Sequence, residues 1–358
     1  MSYLSIKNID FSYETKKVIN SISLQIKQGE ISCLLGPSGC GKTTLLQLIA
    51  GLEVLDLGSI KIDGKLISDK RTKLHLPPEK RETGIMFQDY ALFPHLTVKG
   101  NIFFGVPNPT EKQNSEIFEL MSMAKIDDLQ DRFPHTLSGG QQQRIALIRA
   151  LARKPKLILL DEPFSGLDIS LRGEIRDETI SILKSLEVTT IIVTHDPQEA
   201  LQTADQVHIM RNGRIEQSAT PREIYQFPAN DFIARFIGET NILSGIILEP
   251  GYDEVMTNIG SIPCLSMRNL DFGTDAFISI RPESFALDEK GEFIAKAEKI
   301  QYAGTHLLIE VTLLNEIGKG QKLKIHTHPN ERVSIGEIVR FRIVPDFVTV
   351  IEDAFNEN

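Results

Sequence analysis

Short, nearly uninterrupted apolar runs alternate with longer helical segments through the first two thirds of the chain. Three of these runs are Ile31–Leu35, Leu157–Leu160 and Thr190–Val193. Such runs are typical of strands that are buried on both faces of a parallel sheet. The segment Gln142–Leu151, by contrast, has the composition and spacing of a helix. The pattern therefore predicts an α/β domain.

The pattern changes near Glu239, where helical segments give way to short alternating strands separated by Gly and Pro. Several short strands of this kind are typical of a small barrel. The predicted strands are Phe277–Ile280, Ile294–Ile300, Leu307–Val311, Leu323–Ile325, Ile338–Ile343 and Val348–Ile351. We therefore expect two domains, an α/β domain over residues 1–238 and a small OB-like β-barrel over residues 239–358.

A mainly helical region follows the short apolar strand Gly84–Phe87. Residues 97–136 have helical patterns that Pro107 and Pro109 interrupt, and we expect a helical subdomain over about 89–150. The loop at its start, residues 89–96, is rich in apolar side chains. An exposed apolar loop usually marks a partner surface, whereas a loop that packs inside its own domain would need no partner. The pattern leaves both interpretations open.

The composition limits the classes of function. The length of 358 residues favours two domains, and no apolar run approaches the roughly 18–20 residues that span a bilayer. We expect no signal peptide. The net charge of −9 argues against a nucleic-acid partner held by charge. The three cysteines have no zinc spacing, which suits a reducing cytoplasm. His326 and His328 could bind a metal or simply lie on a solvated strand face.

A glycine-rich segment between the first apolar run and a helix carries the clearest chemical signal. It consists of Gly36, Pro37, Ser38, Gly39, Cys40, Gly41, Lys42, Thr43 and Thr44. A loop of this composition between a strand and a helix directs backbone N–H groups at a phosphate chain, and the helix dipole adds to the attraction. Lys42 can reach the terminal phosphates and Thr43 can bind Mg²⁺. Cys40 could have a lowered thiol pKa at the helix start, or could simply be a small residue that fits the loop.

A second glycine-containing helix start lies in the helical region. It consists of Ser138, Gly139, Gly140 and Gln141. Its backbone N–H groups could bind a second anion. Alternatively, Ser138 is an ordinary N-cap and binds no ligand.

Polar side chains follow the apolar strands at their carboxyl ends, where parallel sheets bind ligands. Asp161 could hold Mg²⁺, and Glu162 could polarise an attacking water molecule. Gln88 and His195 end two other strands of this kind. Near the N-terminus, Tyr13 could stack on a nucleobase or could be a buried strand residue.

Taken together, these motifs resemble the ATP-binding-cassette ATPases of bacterial importers over essentially the whole chain. The phosphate loop also occurs in kinases and GTPases, but Leu137–Gln141 is similar to the signature specific to this family. The resemblance implies a role for each matching residue: adenine stacking for Tyr13, the Walker A loop for Gly36–Thr43, the Mg²⁺ and water site for Gln88, Walker B for Leu157–Asp161, catalysis for Glu162, the D-loop for Ser165–Asp168 and the switch for His195.

The resemblance also implies partners. Two copies would pair head to tail, with each ATP between the Walker A loop of one and the signature of the other. Permease subunits would dock around Gln88–Pro94 at the cytoplasmic face of the cell membrane, and a solute-binding protein would complete the system. The C-terminal barrel resembles a regulatory domain, because Arg281-Pro282-Glu283 matches a sequence common there.

Three segments narrow the subfamily, and these are Leu76–Arg81, Phe87–His95 and Leu167–Arg172. They are similar to importers of iron(III), polyamines, sulfate, phosphonate and sugars. We expect iron(III) as the transported solute, with polyamine as the alternative. A cassette ATPase that acts in translation or DNA maintenance is a distant alternative, which the absence of a second cassette, a heptad run and a basic strand face disfavours.

Overall fold

The computed structural model describes residues 2–247, 254–264 and 273–351. Met1 and residues 352–358, at the two ends of the predicted domains, lie outside this range. Contacts divide the chain into two units after Pro221, earlier than the predicted boundary at 238/239. That boundary marks where helices give way to strands, and as a domain limit it stays a prediction.

The first unit combines a parallel sheet, an antiparallel sheet and a group of helices. Its elements follow in chain order: β1 (Ser2–Tyr13), β2 (Lys16–Lys27), β3 (Ile31–Leu35), α1 (Lys42–Ala50), β4 (Leu57–Ile62), β5 (Lys65–Asp69), β6 (Leu74–His75), β7 (Thr83–Met86), α2 (Val98–Phe103), α3 (Glu111–Met123), α4 (Gly139–Leu151), β8 (Leu157–Asp161), α5 (Ile169–Ser185), β9 (Thr189–Thr194), α6 (Pro197–Thr203), β10 (Gln206–Arg211) and β11 (Arg214–Ala219).

The central sheet has the order β11-β10-β3-β9-β8-β7, and all pairs except β10–β11 are parallel. Every residue of β3, β8 and β9 is buried, as their apolar sequences predict. Leu35 pairs with Thr194, and Asp161 pairs with Val193. The residues that follow these three strands therefore leave the sheet at the same edge.

The antiparallel sheet has the order β2-β1-β4-β5-β6, and Tyr13 is the last residue of β1. The helices α2, α3 and α4 occupy the predicted helical region and share one apolar core with β7 and β8. Each of these helices starts with a hydroxyl side chain that accepts a backbone N–H, and the capping residues are Thr97, Thr110 and Ser138. Such caps satisfy amide groups that have no partner within the helix.

The second unit is mainly β-structure. Its elements are α7 (Pro221–Gln226), α8 (Asp231–Ile237), β12 (Asn241–Ile247), β13 (Glu254–Thr257), β14 (Gly260–Pro263), β15 (Asp275–Ile280), β16 (Phe285–Leu287), β17 (Phe293–Tyr302), β18 (Leu307–Leu313), β19 (Lys322–Thr327), β20 (Ile338–Ile343) and β21 (Val348–Ile351). All six strands predicted here are present. Together with four further strands they form two antiparallel sheets, β14-β13-β12-β15-β21 and β16-β20-β17-β18-β19.

The two sheets of the second unit close around one core. Asn241 joins them, because its side chain donates to Lys324 O at 2.9 Å and accepts from Lys324 N at 2.7 Å. Buried residues of both sheets form a single apolar cluster. The nearly closed arrangement confirms the predicted OB-like barrel.

The second unit also contains Arg281, His326 and His328, which the sequence analysis singled out. Arg281 is buried and donates to the carbonyls of Tyr225, Ala234, Gly238 and Glu239, so it fastens the end of α8. His326 lies on β19, whereas His328 follows the end of that strand. In the described ranges, no group of three or more His, Cys, Asp or Glu side chains is arranged to hold a metal ion.

Candidate functional site

The glycine-rich segment forms a loop between β3 and α1. Gly41 precedes the helix with a φ of 106°, a left-handed conformation that glycine adopts at little cost. No side chain of the described residues caps this helix start. Its first N–H groups can therefore donate to an anion, and the helix dipole favours negative charge there.

Lys42 is held inside this loop. It is buried, and its Nζ donates to Gly36 O at 2.7 Å and to Pro37 O at 3.1 Å. A β-carbon at Gly36 would lie 2.2 Å from Met210 O, so a larger residue would displace the loop from β10. The two hydrogen bonds therefore fix the position of the ammonium group within the loop.

Cys40 is a small buried residue of the loop. Burial raises the pKa of its thiol, although the nearby Lys42 opposes that rise. The lowered pKa considered from the sequence is therefore wrong, since desolvation outweighs the positive end of the helix.

Thr43 and Asp161 meet beside the loop. Thr43 Oγ1 donates to Asp161 Oδ1 at 3.2 Å. Asp161 is buried, and desolvation raises its pKa, as does the charge of Glu162, while the bond from Thr43 and the charge of Lys42 oppose the rise. A nearby cation would offset this desolvation. A hydroxyl and a carboxylate are also hard oxygen ligands of the kind that Mg²⁺ prefers, so the pair fits this ion.

Glu162 connects the other polar residues of this edge. Gln88 Nε2 donates to Glu162 Oε2 at 3.0 Å, and His195 Nδ1 lies 3.1 Å from Glu162 Oε1. Glu162 has a φ of 45°, which is uncommon for a residue with a side chain. Its N–H donates to Val193 O on the neighbouring strand, which helps to hold this conformation. The structure thus brings together three residues predicted from separate strand ends.

Glu199 supports the segment that carries His195, and sequence analysis missed it. Thr194 Oγ1 donates to the buried Glu199 Oε2 at 2.7 Å and accepts from Asp196 N at 3.0 Å. These two bonds hold the residues on either side of His195. The sequence does show Glu199 three residues after Asp196, the residue before α6. It does not show that Thr194 is the hydrogen-bond partner of Glu199.

Tyr13 lies at the surface, with 42% of its area exposed. The interpretation as a buried strand residue is therefore wrong. Its ring meets Phe11 edge-on at 4.8 Å, and its hydroxyl donates to Gln47 Oε1 at 3.1 Å. Part of the Tyr13 side chain therefore remains accessible from solvent.

Similarity to known proteins identifies the family. A profile described as "ABC transporter" matches residues 19–165. The Fe(3+) ions import ATP-binding protein FbpC of Fusobacterium nucleatum is 44% identical over 294 residues, which cover 80% of this chain and 76% of that protein. The chain belongs to the ABC transporter family. The spermidine/putrescine import ATP-binding protein PotA of Haemophilus influenzae is 41% identical over 295 residues, covering 81% of this chain and 78% of that protein.

Solved structures agree with this assignment. CbiO1 from Clostridium perfringens, described as part of the ABC transporter complex cbiONQ, has a TM-score of 0.57 at 31% identity, covering 63% of this chain and 90% of that chain. A nucleotide-free ATP-binding cassette from an ABC transporter has a TM-score of 0.59 at 26% identity, covering 67% of this chain and all of that chain. The predicted ABC ATPase fold and the ATPase activity of its family are confirmed. None of the helices in the described part has the length and apolar character needed to cross a membrane.

The ABC signature is structurally separate from the phosphate loop of its own chain. Ser138 caps α4, and Gln141 Oε1 accepts the N–H of Ser138 in return, so the residues form a capping box. Over the described ranges, no hydrogen bond or ion pair joins residues 138–141 to residues 36–44. A β-carbon at Gly139 would instead lie 3.6 Å from Gly166 O. Asp168 is exposed at the start of α5.

The apolar segment 89–96 is only partly exposed, which for Leu92 and Phe93 favours the interpretation that the loop packs inside its own domain. Leu92 is half-buried against the core of the helical region, and Phe93 is half-buried beside Phe104, with ring centroids 4.3 Å apart. Arg149 donates to the carbonyls of Tyr90 and Ala91 at 2.7 Å each. These bonds draw the loop onto its own domain, while Phe104 keeps 60% of its area exposed.

Proposed function

We propose that the chain is the ATP-hydrolysing subunit of a bacterial importer that takes up iron(III). The observation that carries the hydrolytic role is the contact of Gln88 and His195 with one carboxylate, Glu162, at the edge where the phosphate loop begins. In this proposal an acceptor for a proton, a phosphate cradle and a group for Mg²⁺ belong to one site. This is the set of parts that phosphoryl transfer to water requires.

Each residue has a distinct part in the proposed reaction. The N–H groups at the start of α1 and the Lys42 ammonium bind the β- and γ-phosphates. Glu162 accepts a proton from the attacking water, and His195 orients the carboxylate and faces the terminal phosphate. Thr43, Asp161 and Gln88 would hold Mg²⁺, which neutralises phosphate charge when bound.

A second copy of the chain is proposed to complete the site. Ser138 caps only the N–H of Gln141 in the signature, so the N–H groups of Gly139 and Gly140 could bind an anion, yet the signature lies apart from the phosphate loop within one chain. A head-to-tail dimer would place Ser138, Gly139, Gly140 and Gln141 of one copy against the ATP on the other. Asp168 would lie near the same interface.

We further propose permease subunits as membrane partners, with the chain at the cytoplasmic face of the cell membrane and a solute-binding protein outside. The transported solute is a separate question. Support for iron(III) comes from the similarity to FbpC, and support for polyamine, the alternative solute, comes from the similarity to PotA. A deletion strain complemented with the wild-type gene would distinguish them, when uptake of radioactive iron(III) and of spermidine is measured side by side. Restored spermidine uptake with unchanged iron(III) uptake would reject the iron assignment.

Phe104, whose ring contacts Phe93, provides a test of the permease-docking surface proposed around Gln88–Pro94. Phe104→Ser is expected to weaken recovery of the permease with the ATPase roughly tenfold, because burying such a side chain contributes about 1.5–3 kcal/mol. Its melting temperature and ATP affinity are expected to stay near those of the wild type, since the side chain is largely exposed. Leu57→Ser is the matched control, because Leu57 is similarly exposed on β4. Equal loss of permease in both variants would contradict docking at Phe104.

A further inference from the structure

The hydroxyl of Tyr13 is bound by α1, the helix that follows the phosphate loop. Tyr13 Oη donates to Gln47 Oε1 at 3.1 Å, and Glu53 Oε1 lies 3.5 Å from the same hydroxyl. Gln47 stands one helical turn after Thr43, so the two side chains share a face of α1. The aromatic ring and the phosphate-binding end are therefore connected through one rigid element.

The backbone that carries Tyr13 is also fixed. Ser12 N donates to Asp56 Oδ2 at 2.7 Å, and Asp56 N donates back to Asp10 O at 3.0 Å. The strand pairs with β2 as far as Tyr13, opposite Lys16. The ring is held by its perpendicular contact with Phe11 and by the hydrogen bond of its hydroxyl to Gln47, while 42% of the area of Tyr13 stays exposed.

We propose that Gln47 is a positioning residue for nucleotide binding: it holds the Tyr13 ring at a set distance from the phosphate loop, so that the ring is already placed for the nucleobase. This rests on the proposed binding of ATP at that loop. An exposed side chain that must be ordered on binding costs affinity, and a hydrogen bond made beforehand removes this cost. Through Tyr13, Gln47 therefore affects the binding of the nucleobase and does not affect the binding of the phosphates.

The test compares ligands with and without the base. Gln47→Leu keeps the size and helix propensity of the side chain and removes the acceptor. Calorimetric titration of the full chain with ATP and with inorganic triphosphate is expected to show ATP binding weakened about threefold to tenfold, with triphosphate binding unchanged. The turnover number at saturating ATP should also stay unchanged. Gln25→Leu, at an exposed glutamine on β2, is the control.

A double-mutant cycle separates positioning from a structural effect. Tyr13→Phe removes only the hydroxyl and is expected to match Gln47→Leu, and the double variant should show no further loss. Equal weakening of ATP and triphosphate, full additivity, or unchanged ATP affinity in Gln47→Leu would overturn the inference. A wild-type protein that binds triphosphate as tightly as ATP would also overturn it, whereas one that binds neither would overturn the proposed function as well.

Discussion

Glu162→Gln is expected to bind ATP almost as tightly as the wild type and to hydrolyse it roughly 10²–10⁴-fold more slowly, the contribution of a general base. The amide that replaces the carboxylate is of the same size and carries no basic oxygen. It can keep one of the two contacts that Glu162 makes with Gln88 and His195, so the surrounding geometry is expected to persist. Because the bound nucleotide is then not consumed, the ATP-bound dimer should accumulate.

Steady-state hydrolysis, ATP affinity and size-exclusion chromatography on one preparation measure these effects. Glu187→Gln serves as the control, because Glu187 is exposed immediately before the buried entry to β9, at the opposite edge of the parallel sheet. A Glu162→Gln protein with turnover close to that of the control would show that another group activates the water. Loss of ATP binding would instead indicate that the carboxylate is needed for the shape of the site.

The second large effect is expected from mixing two inactive variants. Lys42→Ala should lower hydrolysis by at least about 10²-fold, as removal of a positioned donor to the transition state does. Ser138→Arg should do the same by filling the backbone nest that is proposed to face the ATP of the other copy. Each proposed site joins the phosphate loop of one copy to the signature of the other. In a mixed dimer, one site therefore contains both substitutions and the other site contains neither. Random pairing of the two copies should then restore at most about a quarter of wild-type turnover.

Thr110→Arg is the matched control for the arginine substitution. Thr110 caps α3 with the same kind of capping box that Ser138 forms on α4, so both variants lose a comparable cap of about 1 kcal/mol. Thr110→Arg should therefore have a similar melting temperature and remain active by itself. If hydrolysis in the mixture of Lys42→Ala and Ser138→Arg equals only the sum of the separate proteins, the shared-site proposal is wrong.

The phosphate loop could be predicted from the sequence because its chemistry resides in consecutive residues. A buried strand, a glycine-rich turn and a helix start specify their own backbone geometry, so Lys42 and Thr43 needed no distant partner to be recognised. The parallel strands could also be predicted from consecutive residues. Their continuous apolar sequences indicate burial on both faces, and their carboxyl ends therefore place Asp161, Glu162 and His195 at one edge of the sheet.

Other features depended on contacts between residues that are distant in the chain. The helix residues Gln47 and Glu199 resemble ordinary polar positions in sequence, and only the fold brings them to Tyr13 and Thr194. The thiol pKa of Cys40 followed from burial, which the local sequence does not specify. The loop at 89–96 packs partly onto its own domain because Arg149 of α4 binds its carbonyls. Periodicity describes each element separately, whereas these side chains acquire their roles from neighbours that only tertiary packing supplies.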